Sequence, residues 1–215
     1  MLIGKGSKLL MIGDSVTDAE RKRPVGEGRG EDIGKSYVAI VNALLNSACP
    51  QEQIRVVNMG VSGNTSRDLL QRFQTDVLDL NPDWLTIMIG INDIWRQFDA
   101  PLRPEVHVYP EEYEANLNKM MELVKGKVKQ TVLMSPVFME RNRQDDMRAT
   151  LDTYIAIMKK TAARHNALFI DVQSAYEQVL EHMHPMNIAW DRVHPNMTGH
   201  MIIARSFLKA VGFEW

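Results

Sequence analysis

Apolar residues recur along this chain in two rhythms, and the sharpest boundary between apolar and polar positions lies near the amino terminus. Leu9-Leu10-Met11-Ile12 is a continuous apolar run that stops abruptly at Gly13-Asp14-Ser15. A run without alternation marks a strand buried on both faces, as in a parallel sheet. Similar short runs at Ile54-Arg55-Val56-Val57, Trp84 to Ile89, Thr131 to Met134 and Leu168 to Ile170 predict four more strands. Between them the spacing turns helical: Tyr37, Ile40, Val41, Leu44 and Leu45; Tyr113, Leu117, Met120, Met121 and Val124; Met147, Leu151, Tyr154, Ile155, Met158 and Ala162. Pro50 and Gly126 close the first two of these helices. A further helix runs from a cap at Thr65 or Ser66 through Leu80, another lies near Ser174 to Met183, and the last begins near Thr198. Segments 19–34 and 97–110 carry charge, glycine or proline with neither period and read as loops.

Strands alternating with helices, without hairpin signals, predict a parallel sheet covered on both faces, the doubly wound α/β arrangement. The 215 residues suit one domain spanning 1–215. Such sheets bind ligands at the carboxyl ends of their strands, where strand order reverses. Ser15 follows the first strand, Gly63 lies in the glycine-bearing loop after the second, and Asn92 follows the third.

Composition narrows the function. A net charge of −2 with both signs interspersed provides no basic face for nucleic acid or an anionic membrane, which leaves a small molecule as the expected partner. Cys49 is the only cysteine and there are 14 methionines, a composition suited to a reducing, cytoplasmic compartment. The amino-terminal apolar run is too short for a signal peptide, and no segment approaches the ~18 apolar residues of a membrane span. Gly34-Lys35-Ser36 has the ending of a phosphate-binding loop, but Arg29 stands where its first glycine is required and no strand immediately precedes it, which argues against ATP.

A serine hydroxyl becomes a useful nucleophile only beside a base whose tautomer is itself fixed. Asp191-Arg192-Val193-His194, on a loop before the last helix, offers both partners: the carboxylate accepts from one ring nitrogen while the other faces Ser15. The oxyanion formed by attack on a carbonyl needs donors at the same strand ends, and the backbone N–H groups of Ser15 and Gly63 with the Asn92 amide can provide them.

Gly13-Asp14-Ser15, Gly63-Asn64, Gly90-Ile91-Asn92-Asp93 and Asp191-Arg192-Val193-His194 resemble, in order, the sequence blocks of the SGNH hydrolases, also called GDSL esterases. Val16 stands where the family name has leucine. The stretches Gly60 to Thr65, Ile89 to Arg96 and Ala189 to Pro195 are similar, more closely, to those of the small intracellular acetylxylan esterases of this family. The resemblance implies a serine esterase that deacetylates xylan fragments without a cofactor, with Ser15, Asp191 and His194 as triad and Ser15, Gly63 and Asn92 as oxyanion hole. It also implies a three-layer, flavodoxin-like five-stranded sheet of order 2-1-3-4-5. Asp14, Trp95, Arg96 and Trp190 adjoin these blocks and become candidate substrate-binding residues. A longer-chain lysophospholipase or thioesterase, or a carbohydrate-binding module without catalysis, are the competing readings.

Each residue also has a plainer role open to it. Ser15 alone could be a helix cap, and Asp14, Asp93 and Asp171 could cap helices or bond loops. Gly63 could serve only its turn, and Asn92 could satisfy buried backbone. Arg96 could form a solvated ion pair and the tryptophans could simply pack. His182 and His184 have the spacing of metal ligands but no accompanying cysteine or carboxylate cluster, so no metal is expected. The terminal Gly212-Phe213-Glu214-Trp215 exposes aromatics unless they dock, which points to a homo-oligomer contact.

Overall fold

Each apolar run becomes a strand because both of its faces are covered. In the computed structural model, which describes residues 1–28 and 30–214, β1 (Lys8–Gly13) sends Leu9 and Met11 into one apolar cluster and Leu10 and Ile12 into a second, on the opposite face of the sheet. All four side chains are fully buried, each stabilising the fold by about 1.5–3 kcal/mol relative to exposure. The other strands are β2 (Arg55–Asn58), β3 (Trp84–Met88), β4 (Gln130–Met134) and β5 (Leu168–Ile170). The five strands pair with one another in parallel in the order 2-1-3-4-5, as the family resemblance implies. Because β2 and β3 flank β1 on opposite sides, the chain reverses its direction of winding beside the ends of β1 and β3, with Gly13 level with Met88.

The helices are α1 (Ser15–Asp18), α2 (Tyr37–Ala48), α3 (Ser66–Gln71), α4 (Ile91–Asp99), α5 (Pro110–Val124), α6 (Asp146–Arg164), α7 (Val172–Leu180) and α8 (Met197–Ala210). Residues of α2, α7 and α8 join the cluster on one face of the sheet, and those of α3 to α6 the cluster on the other. Three expectations change. The helix expected to run through Leu80 breaks after Gln71 and continues as a π-helical turn over Gln74–Leu78, although its start is as expected: Thr65 and Asp68 form a capping box. Residues 91–99 form α4, so the start of the segment expected as a loop over 97–110 is helical; Ile91 and Ile94 are buried in the core and Trp95 packs on it. Phe213 is buried against the core, so this terminal aromatic is docked rather than exposed. Arg29 of the loop comparison and Trp215 of the expected contact lie outside the described residues.

The described residues of segment 19–34 form no helix, but the segment is not merely a solvated connector. Arg21 is buried and donates from Nε to the Gly60 carbonyl at 2.6 Å and from Nη1 to that of Pro24 at 2.8 Å. Asn58 at the end of β2 donates to the carbonyls of Thr17 at 2.7 Å and Ile33 at 2.9 Å, so this segment is clamped against the loops that follow β1 and β2. Among the described residues no helix is long and apolar enough to cross a membrane.

Candidate active site

Gly13 ends β1 because nothing larger fits: an added Cβ would lie 2.3 Å from the Met88 carbonyl oxygen and 2.4 Å from Thr17 Oγ1. The chain then enters α1, capped by Asp14, whose Oδ1 accepts the Val16 N–H at 2.9 Å. Ser15 is the first residue of that helix and stands half-buried at the rim of the sheet.

Its hydroxyl meets an imidazole from the far end of the chain: Ser15 Oγ lies 2.9 Å from His194 Nε2. His194 Nδ1 lies 2.5 Å from Asp191 Oδ2, while Asp191 Oδ1 accepts the backbone N–H groups of Val193 at 3.0 Å and His194 at 2.8 Å. One carboxylate therefore shapes the turn and orients the ring. The turn closes because Arg192 takes a left-handed φ of 65°, and Met139 anchors it by donating to the Arg192 carbonyl at 2.8 Å. Partial burial pushes the Asp191 carboxyl up, but the imidazole and the two N–H groups outweigh it and hold the group below the ordinary carboxylate value. An ionised carboxylate at Nδ1 keeps the ring proton there, which leaves the Nε2 lone pair facing the Ser15 hydroxyl.

These groups line an open cleft of about 660 Å³ together with Gly63, Asn92, Trp95 and Trp190. Gly63 sits at a φ of 82°, in the region that favours glycine, with open space on the side where a Cβ would stand. Asn92 is buried in the first turn of α4 and donates from Nδ2 to the Asn64 carbonyl at 3.0 Å, which leaves its second N–H available. Trp95 packs its ring 5.7 Å from the His194 imidazole, whereas Trp190 is 78% exposed at the rim, where a flat apolar face is open to a ligand. Arg96 lines the same cleft but points back along α4 toward Asn92 and Asp99.

Asp14 is placed elsewhere. It is buried beneath α1 and does not line the cleft; burial raises its carboxyl to about 7, against the pull of the Val16 N–H. Asp93 is likewise buried and raised to about 7 by burial, accepting the Ser66 N–H and hydroxyl and so tying the start of α4 to the start of α3. Asp171 caps α7 through Ser174. His182 and His184 are exposed, and His184 accepts the Met186 N–H.

Several supporting residues have no local signature in the sequence. Asp18 Oδ2 accepts the N–H and hydroxyl of Ser62 at 2.9 and 2.8 Å and pairs with Arg23, which fixes the loop bearing Gly63. Although burial pushes it up, those bonds keep Asp18 below the ordinary carboxylate value. His200, the second residue of a Gly-His pair in α8, is a buried wall of the cleft, and its burial lowers it to about 4. It is a neutral side chain at neutral pH.

The GDSL-like lipase/acylhydrolase family model matches residues 11–202. The chain is 52% identical to an acetylxylan esterase of Geobacillus stearothermophilus over 215 residues, covering 100% of this chain and 98% of that protein. The crystal structure of that organism's acetylxylan esterase Axe2 superposes with a TM-score of 0.98 at 52% identity, covering 100% of this chain and 98% of the other. A catalytic mutant of Axe2, S15A, superposes at 0.99 with the same identity and coverage. LAE5, an alpha/beta hydrolase enzyme from the metagenome of Lake Arreo, Spain, matches at 0.97 and 48% identity, covering 99% and 98% of the two chains.

Proposed function

Because the chain belongs to the GDSL-like lipase/acylhydrolase family, we propose that it is a serine esterase that removes O-acetyl groups from acetylated xylo-oligosaccharides or related sugars. The observation that carries this reading is the unbroken hydrogen-bond chain from Ser15 Oγ through His194 to Asp191, at 2.9 and 2.5 Å, opening on a cleft wide enough for a sugar. The 52% identity to an acetylxylan esterase supports the acetyl-sugar substrate.

In this mechanism His194 Nε2 takes the Ser15 proton as Oγ attacks the acetyl carbonyl. The carbonyl oxygen becomes an oxyanion and accepts hydrogen bonds from the Ser15 and Gly63 N–H groups and from Asn92 Nδ2. Collapse of the tetrahedral intermediate breaks the bond to the sugar oxygen, which leaves with the proton held by the imidazole. Water then attacks the acetyl-serine, giving its proton to His194, and acetate departs as Ser15 regains its hydrogen. Asp191 stays ionised throughout and stabilises the imidazolium. Trp190 offers a stacking face for the sugar ring, and residues 1–215 act as one catalytic domain in a reducing, cytoplasmic setting.

The test is acetate release from a panel of acetylated xylosides, other acetylated sugars and a lysophospholipid, beside an aryl ester series of increasing chain length. Acetylated xylosides are the preferred substrates in this reading, and Ser15→Ala abolishes nearly all turnover. Activity that climbs from acetate to octanoate overturns the acetyl-sugar assignment, and undiminished hydrolysis by Ser15→Ala overturns the serine mechanism.

A further inference from the structure

Arg96 lies one helical turn beyond Asn92 on α4, and its hydrogen bonds to Asn92 and Asp99 run along its own helix rather than into the cleft. Its Nη2 donates to Asn92 Oδ1 at 3.3 Å, its Nη1 to Asp99 Oδ2 at 2.5 Å, and its guanidinium carbon stands 4.9 Å from the centre of the Trp95 ring. A guanidinium is planar and forked, so an ion pair on one arm and an aromatic face against its plane fix where the other arm points.

Asn92 is the partner with most to lose from disorder. The two ends of a primary amide have nearly the same shape, and rotation by half a turn exchanges a donor for an acceptor. In the arrangement seen, Oδ1 receives Arg96 while Nδ2 donates to the Asn64 carbonyl at 3.0 Å, so partners of opposite polarity hold the two ends. The flipped amide would set Oδ1 against the Asn64 carbonyl and present an acceptor's lone pairs to a developing oxyanion. With Asn92 only 2% exposed, little water is present to soften either clash.

We propose that Arg96 is a positioning residue for the oxyanion hole: it holds the Asn92 amide with Nδ2 turned toward the Ser15 acyl group and polarises that N–H, rather than binding the sugar. This deepens the esterase reading and rests on it.

The experiment is a double-mutant cycle of Arg96→Met and Asn92→Ala, with kcat and KM measured on an aryl acetate, which has no sugar, and on an acetylated xylobiose. Arg96→Met is expected to lower kcat about tenfold on both substrates, a fraction of the loss caused by removing an oxyanion donor outright, with KM nearly unchanged. In the Asn92→Ala background the same substitution should cost nothing further. Arg96→Lys, which keeps the charge but not the fork, should fall between wild type and Arg96→Met. A rise in KM confined to the xylobiose ester would make Arg96 a sugar ligand and overturn the proposal, as would a kcat loss that persists undiminished without Asn92, or no loss at all. If Arg96→Met fails to fold by circular dichroism, Asp99→Asn replaces it; freeing Nη1 should lower kcat on both substrates, again only when Asn92 is present. Should the wild type reject both acetates, the acetyl-sugar reading fails instead, and the cycle is run on whichever aryl ester is hydrolysed.

Discussion

Arg72 donates from Nη2 to the Gly13 carbonyl at 2.9 Å, so a side chain just beyond α3 grips the last residue of the strand that delivers Ser15. The same guanidinium donates to Asn64 Oδ1 at 2.6 Å and the Met59 carbonyl at 2.8 Å, and pairs with Asp76 at 2.7 Å. Asn64 in turn receives the Asn92 amide. One mostly buried cation thus connects the loops after β1 and β2 and, through Asn64, the start of α4, so the distances among Ser15, Gly63 and Asn92 depend on it.

Arg72→Met should therefore damage both stability and catalysis. Removing it strands buried carbonyl groups and the Asp76 carboxylate, a loss of about 3 kcal/mol by the usual cost of breaking a buried pair. The loosened loops should also lower kcat by about 10- to 100-fold, as small misplacements of positioned groups do. Urea denaturation and steady-state kinetics on an aryl acetate measure the two effects. A variant with reduced stability and wild-type kcat would show that Arg72 supports the fold without setting the site.

Asp191→Asn tests the orientation of the imidazole. An amide can turn its NH₂ toward Nδ1, which moves the ring proton to Nε2 and makes His194 a donor to Ser15 instead of a base. With geometry otherwise intact, kcat should fall by about 10⁴-fold and the circular dichroism spectrum should not change. A loss of less than about tenfold would mean that the 2.5 Å contact to Nδ1 has no part in selecting the tautomer.

What the sequence made legible follows from where the information is local. β1 was readable because burial on both faces demands an unbroken apolar run, and Asp191 and His194 because two intervening residues suffice to bring carboxylate and ring together. α4 was obscured for a physical reason: Asn92 and Asp93 lie in its first turn, and buried polar residues imitate a loop. Ile91, Ile94, Trp95 and Phe98 still recur at i, i+3, i+4 and i+7, the signal that would have revealed the helix. The links from Arg72 to Gly13 and from Asp18 to Ser62 left no trace because those partners lie far away in sequence and only the closed sheet brings them together. Asp14 adjoins Ser15 in sequence, which suggests a substrate ligand, and its burial under α1 is visible only in three dimensions.

Gly13→Ala should strain the point where β1 passes beside β3. The new methyl would meet the Met88 carbonyl at 2.3 Å, and backbone cannot yield as a flexible side chain would. Separation of the two strand ends should cost about 1–3 kcal/mol, with kcat reduced because Ser15 and Asn92 follow those strands directly. Thermal melting and aryl acetate turnover would reveal it; a variant with unaltered melting temperature would mean that the strand ends give way freely.

Asp14 makes stability depend on pH in a direction opposite to that of a salt-bridged carboxylate. Burial raises its folded-state value from 3.8 to about 7, with the buried Asp93 adding to the rise, so the folded protein binds a proton that the unfolded chain releases near pH 4. Its contribution is then fully present below about pH 4 and is lost as pH rises toward 7. Asp14→Asn keeps an oxygen for the Val16 N–H and cannot ionise, so it should escape that loss. The difference in melting temperature, variant minus wild type, should be small at pH 4 and grow in favour of the variant up to pH 7, while other groups alter both proteins alike. A difference that is flat with pH, or that shrinks, would show that Asp14 ionises in the folded protein as readily as in water.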